Sequence, residues 1–276
     1  GISMPTTYAH YKFGKEVISA LPRPLQSSIE NNRELFDIGV HGPDLLFYYK
    51  ALMKNPVNTQ GYELHDKMAD EFFNNAIEVI KKAEDPAAAR AYIYGFICHF
   101  ALDSECHPYI EKMIKTSGLS HSEIEMEFDR LLLKEDYINP VRYLATGHIH
   151  PNRKNASVIA PFFHDVTPEL IEKSMRSMIF CHKVLLAPGK AKRNLIYGCL
   201  KLAGHYEDKH GMVMSLEPNP ACKEYCQLLK RLYAGAVPLA AGLIIQYQKA
   251  LFEGKELPER FHRTFGAGDK WEELRL

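Results

Sequence analysis

The sequence carries no surplus charge of either sign: 34 Lys and Arg are balanced by 34 Asp and Glu, a formal net charge of zero. No long basic run disturbs that balance, so bulk electrostatics supply no grip on nucleic acid and no nucleic-acid partner is expected. No stretch alternates apolar and polar residues over strand length, no motif recurs at a fixed period, and no low-complexity linker divides the chain. Sheet-based and repeat architectures are thereby excluded. Long hydrophobic runs are missing with one exception. Residues 232–248 form 17 uncharged positions broken by Gly235, Pro238 and Gly242, which read as a core helix rather than a membrane span. The six cysteines, at 98, 106, 181, 199, 222 and 226, fall in apolar helical patterns and not at loop staples, so reduced buried thiols are expected. Cys222 and Cys226 stand at i, i+4, but no second pair completes a zinc motif. No export segment opens the sequence, and a cytoplasmic protein is expected. A secreted one follows if a signal segment precedes Gly1.

What the sequence does have is helical period almost throughout. Apolar positions recur at helical spacing over residues 8–21, 24–36, 43–53, 60–83, 86–113, 120–134, 167–187, 190–208 and 219–252. Residues 148–163, rich in His, Pro and Asn, read as a long loop. Its Pro161-Phe162-Phe163 serves either as an apolar lip for substrate or membrane or as packing onto the bundle. The expected fold is all-α, a multi-helix bundle forming a single domain over residues 1–276. Functional residues gather in about residues 5–135, and further packing helices fill about 136–265.

One segment concentrates chemistry. His99, Asp103 and His107 stand four residues apart among Tyr92, Ile93, Phe96, Ile97, Phe100 and Leu102. Steps of four drift by only about 40° on a helix, so the three side chains share one face. Two imidazoles and a carboxylate on an apolar face are costly to leave unpaired, and a zinc-type ion is one way to satisfy them. Cys106, beside His107, is expected to pack on the opposite face. His121 and Glu125 repeat the i, i+4 offer on the next helix. His65 lies on the helix 60–83, Asp44 follows a Gly42-Pro43 turn, and His10 lies near the start of the first helix.

Taken singly, each has a plainer explanation. A lone helical histidine is ordinarily surface or hydrogen-bonded core, and Glu125 has Glu123, Glu127 and Asp129 for company as on a solvated face. The set is more telling than its members: eight hard or borderline ligands on consecutive helices are what a multinuclear zinc site in a bundle core requires.

In this order, His10, Gly42-Pro43-Asp44, His65, His99-x-x-x-Asp103, His107 and His121-x-x-x-Glu125, the sequence resembles the zinc-dependent phospholipase C family, whose all-helical fold is shared with S1/P1-type nucleases. The resemblance covers about residues 5–135 in specific motifs. It implies two or three zinc ions: one held by Asp44, His65, His99 and Asp103; a second by His107, His121 and Glu125; a third sharing Asp103 and taking His10. It implies hydrolysis of a phosphoester by a metal-activated water, with Asp44 both ligand and proton acceptor. Cleavage of a phospholipid headgroup leads the substrate classes, ahead of a soluble phosphoester, and peripheral membrane contact would accompany it. Two departures stand out. Family enzymes begin their mature chain with a tryptophan that completes the third site, whereas Trp271 is the single tryptophan here. His107 also follows Asp103 more closely than in the secreted enzymes.

Three other readings compete. An HD-type metal phosphohydrolase could use the doublets His65-Asp66 or His164-Asp165, but it leaves His107, His121 and Glu125 without a role. An S1/P1-type nuclease would share the fold, although nothing marks a base-stacking pocket. A non-catalytic zinc-binding helical protein would use the same ligands for structure alone.

Overall fold

The periodic segments become helices arranged about one central rod. The computed structural model describes residues 6–276. Among them no strand forms, and the one extended pairing is an isolated bridge between Met68 and Thr264. The helices are α1 (Thr7–Ser19), α2 (Arg23–Glu30), α3 (Arg33–Gly39), α4 (Pro56–Asp66), α5 (Ala69–Lys82), α6 (Pro86–Ser117), α7 (His121–Glu135), α8 (Arg153–Ile159), α9 (Pro168–Leu185), α10 (Lys190–Leu202), α11 (Tyr206–Lys209) and α12 (Lys223–Glu253), with a 3-10 segment at Gly42–Tyr48. The all-α expectation holds.

The central rod is α6. Asp85 caps it by accepting from the Ala88 N–H, Pro86 occupies the tolerant first position, and Gly118 ends it in the left-handed region at φ 74°. Tyr92, Ile93, Phe96, Ile97 and Phe100 are fully buried, because α3, α12, α1 and α5 pack around this rod. A helix apolar on nearly every side belongs at the centre of a bundle. The closest approach is to α3. There a Cβ on Gly39 would lie 2.2 Å from the Tyr92 carbonyl oxygen, and one on Gly95 would lie 2.3 Å from that of Phe36.

Several boundaries differ from the sequence reading. The helix expected over 60–83 divides at Lys67–Met68 into α4 and α5, and α4 starts early because Asn55 and Asn58 form a reciprocal capping box. Segment 24–36 breaks at Asn31–Asn32, and segment 190–208 breaks at Ala203–His205. Segment 43–53 is 3-10 rather than α and stops at Tyr48. Residues 148–163 are not a structureless loop: Asn152 accepts from the Asn155 N–H and starts α8, followed by a 3-10 turn. Phe162 and Phe163 are buried, so the Pro161-Phe162-Phe163 lip is packing. One helical span, Pro220–Glu253, is long and apolar enough to cross a membrane by length and composition. It is a core helix on one side only. Leu229, Tyr233, Ala236, Ala240, Ile244 and Tyr247 are buried, while Gly235, Pro238, Gly242 and Gln246 are exposed.

The α3–α6 contact yields a direct test. Alanine at Gly95 gains about 1 kcal/mol of helix propensity, but it forces a methyl group onto a backbone carbonyl, and overpacking costs about 1–3 kcal/mol. With backbone as the obstacle the steric cost should win. We expect Gly95→Ala to lower the urea midpoint, and an unchanged or raised midpoint would show that the helices can separate freely.

Candidate metal centre

The face of α6 bearing His99, Asp103 and His107 points at three other elements. Asp103 is 4% exposed and stands at the junction. Its Oδ1 lies 3.0 Å from His10 Nε2 of α1. Its Oδ2 lies 2.8 Å from His99 Nε2, 3.9 Å from His65 Nε2 and 3.7 Å from His107 Nδ1. Asp44 reaches the same place from the 3-10 segment, with Oδ1 3.1 Å from His65 Nε2 and Oδ2 3.6 Å from His99 Nε2. Glycine is required just before it. Gly42 has φ 51°, and a Cβ there would lie 2.5 Å from His99 Cδ2. His10, Asp44, His99 and Asp103 offer ligand atoms within 4.8 Å of one another. One helical turn along α6, His107, His121 and Glu125 form a second such group, with His121 Nε2 2.7 Å and His107 Nε2 3.8 Å from the Glu125 carboxylate. All eight candidates from the sequence are therefore brought together.

Backbone carbonyls orient the rings. His99 Nδ1 pairs with the Val40 oxygen at 3.0 Å, His65 Nδ1 with Gly61 at 2.9 Å, and His107 Nδ1 with Phe265 at 2.8 Å. With Nδ1–H donated to a carbonyl, each ring turns Nε2 toward the carboxylates, the arrangement that second-shell bonds impose on metal-binding histidines. His99 Nε2 and His121 Nε2 are buried and find no hydrogen-bond partner despite their short approach to carboxylate oxygens, and His10 Nδ1 also lacks one. Nitrogens and carboxylate oxygens that crowd together without hydrogen-bond geometry fit a shared divalent cation, and the His-rich donor set with carboxylates suits zinc.

Electrostatics agree. Burial alone would lower His99, but Asp103 and Asp44 hold it at about 9. Burial opposes His107 as well, and Asp103 with Glu125 raises it to about 10. Against their own burial, Asp103 is pushed well below the ordinary carboxylate range by His107, His99 and His10, and Glu125 by His121 and His107. Between the two groups lies a cavity of about 10 Å³ touched by Asp103, Cys106, His107 and Glu125, roughly the space of one water-sized sphere. Cys106 thus faces the same cavity as the candidate ligands and not the opposite side. Burial raises its thiol well above the ordinary value.

The sequence reading missed residues behind these groups. His41 Nε2 lies 2.6 Å from His148 Nε2, His148 stacks on Tyr11 at 3.9 Å, and His182 Nε2 lies 2.9 Å from Thr7 Oγ1. Burial drives His41 down, His148 to about 3 and His182 to about 4, so this second histidine cluster is neutral. Asp129 accepts from the Tyr8 and Ala9 N–H groups and so anchors the N-terminal turn that carries His10. Glu125 and Asp129 are buried rather than solvated, and the i, i+4, i+8 spacing of His121, Glu125 and Asp129 was the available signal. Residues 261–266 form a strap whose Gly266 N–H donates to the His65 carbonyl while Phe265 supplies the carbonyl for His107. Asp66, His164 and Asp165 are exposed and take no part, which removes the HD-type reading.

Comparison with known proteins agrees with this geometry. The model of the family described as zinc dependent phospholipase C matches residues 9–177, a span that includes all eight candidates. No curated protein and no solved structure matches the chain.

The charges set a pH dependence for chelator-treated protein. His99 and His107 are raised above their ordinary 6.5, so their contribution is complete below about pH 6.5 and is lost as pH climbs through about 9 to 10. Asp103 and Glu125 are depressed, so theirs is present above about pH 4.5 and is lost as pH falls. The buried neutral His41, His148 and His182 resist protonation and so take stability away as pH falls below about 6.5, and we expect the melting temperature to peak near pH 6.5. Added zinc, which requires neutral imidazoles, should remove the alkaline decline. Equal stability at pH 6 and pH 10 without zinc would contradict these charges.

Proposed function

The chain belongs to the zinc-dependent phospholipase C family, and on that premise we propose that it hydrolyses phosphodiesters, with a phospholipid headgroup ester as substrate. The observation that carries this reading is the convergence on Asp103 of imidazoles from α1, α4 and α6, with a second His/Glu group one turn further along the same face.

We assign one ion to Asp44, His65, His99 and Asp103, and a second to His107, His121 and Glu125. His10, with Asp103 shared, is the protein's contribution to a third. When bound, zinc supplies positive charge to the phosphoryl oxygens and a nucleophilic water near neutral pH. With the ion bound, Asp44 would be placed to take a proton from that water. Its position is fixed by the Gly42-Pro43 turn and by the packing of the 3-10 segment on α4. His65, whose side chain is 16% exposed, is the most accessible member of the first group and marks the side from which the phosphoryl group approaches. His107, held by the Phe265 carbonyl, and His121 frame the second group, where a leaving oxygen gathers charge. Positioning and charge stabilisation supply most of the rate enhancement in phosphoryl chemistry.

A pocket beside the second group fits the lipid reading. Its cavity of about 90 Å³ touches Glu125, Asp129 and His182 at a polar end, and Met126, Leu133, Leu186 and Met212 line an apolar part that suits the hydrocarbon part of an ester.

The test is hydrolysis of a chromogenic phosphocholine diester by zinc-loaded protein. Asp44→Asn should lower kcat at least about 100-fold, with the melting temperature at saturating zinc little changed. Zinc-loaded wild type that hydrolyses neither phosphodiesters nor phosphomonoesters would instead make this a non-catalytic zinc protein.

A further inference from the structure

Helix α10 carries more apolar surface than it buries. Among its described residues, Arg193 alone is buried. Ile196, Tyr197 and Leu200 are half-buried on the same side as Arg193, and a second apolar row faces outward. Leu195, Cys199 and Leu202 stand at i, i+4 and i+7 and share one face, and Leu195 is 68% and Leu202 92% exposed. The helix carries Lys190, Lys192, Arg193 and Lys201 and no acidic residue. Arg193 acts as the clamp: its guanidinium donates to the Ala187 and Met214 carbonyls at 2.8 and 2.7 Å and to Tyr197 Oη at 3.0 Å. Arg193 therefore fastens the inner face to the bundle while Leu195 and Leu202 meet solvent.

Exposed apolar residues also stand near the end of α9, which lies beside the start of α10. Phe180 and Val184 are 66% and 40% exposed and stand at i, i+4 beside Lys183. Lys192 Nζ donates to the Lys183 and Leu186 carbonyls, which ties the two helices together. Among the described residues, Lys183, Lys190, Lys192 and Lys201 make no ion pair with a carboxylate, although Lys201 lies 4.7 Å over the Tyr206 ring. This basic apolar surface adjoins the pocket beside Glu125, because His182, Leu185, Leu186 and Met214 line that pocket's wall.

We propose that α10 and the last turn of α9 form a docking surface for anionic lipid membranes. A helix with leucines on one face and only cations among its charges lies in the plane of a bilayer interface, with the leucines at the acyl boundary and the lysines among acidic headgroups. The charge also selects this occupant over a second copy of the chain, since two such surfaces face to face would bring like charges together. Docking is independent of the catalytic reading. That it delivers lipid to the metal centre rests on the phosphodiesterase proposed above.

Vesicle co-sedimentation of the full chain tests this. Wild type should bind phosphatidylcholine vesicles containing about 30% phosphatidylserine, bind phosphatidylcholine alone at least about tenfold more weakly, and lose the difference at high salt. The double variant Leu195→Asp, Leu202→Asp should bind the anionic vesicles at least about tenfold more weakly. Its circular dichroism, zinc content and hydrolysis of a soluble phosphodiester should match wild type. Wild type that ignores anionic vesicles at low salt, or a double variant that binds them equally well, overturns the proposal. So does a wild-type dimer in sedimentation velocity that the double variant abolishes, because the face would then be a self-association surface. Vesicle binding by a wild type that hydrolyses no phosphoester supports the docking surface and counts against the catalytic reading alone.

Discussion

Asp103 is a carboxylate in the middle of a 32-residue helix whose other buried positions are mostly apolar or aromatic. An isolated charge in such a place is unfavourable by several kcal/mol, so its surroundings must compensate. Here the compensation comes from distant parts of the sequence: His10 from the first helix, His65 from the fourth, and His99 and His107 from its own helix. Those contacts determine how close the neighbouring elements must come. They account for the glycine at position 42, where a side chain would strike His99, and for Asp129 gripping the start of α1. The bundle is arranged so that one buried anion is never left without positive or polarisable partners.

The supports reach beyond the family-matched span of residues 9–177. The strap around Phe265 passes over the outside of the centre, fixes the ring of His107 through a carbonyl, and ties to the His65 backbone through Gly266. Phe261 and Phe265 are fully buried against Phe73 and Phe100, so the strap is held by aromatic packing and not by its few polar contacts. Further along the bundle, α9 and α10 carry exposed apolar and basic residues beside the pocket. The candidate ligands belong to the matched part, while part of their support and the proposed access surface come from the rest.

Much of this was legible in the sequence because helical period and i, i+4 ligand spacing are local signals. His99, Asp103 and His107, and likewise His121 and Glu125, advertise one helix face each. Asp44, His65 and His10 needed the order of motifs as well, since nothing local separates them from ordinary polar residues. What could not be read is non-local. The Lys67–Met68 break follows from pairing of residues 68 and 69 with the strap, seen in the Met68–Thr264 bridge and the Ala69 N–H to the Arg263 carbonyl. The His41–His148 contact joins residues 107 positions apart. Residues 148–163 looked like loop because His, Pro and Asn crowd there, yet Asn152 is a helix cap and Pro161 sits in a 3-10 turn. The exposed face of α10 could not be read either, because period alone does not say which face is buried.

The most direct measurement is anomalous diffraction at the zinc edge from crystals of protein purified without chelator. The account requires peaks in both ligand groups, one within bonding distance of Asp103 together with His99, and one among His107, His121 and Glu125. A well-ordered crystal with no anomalous density at either group, or with zinc held by cysteine sulfur elsewhere, would contradict it.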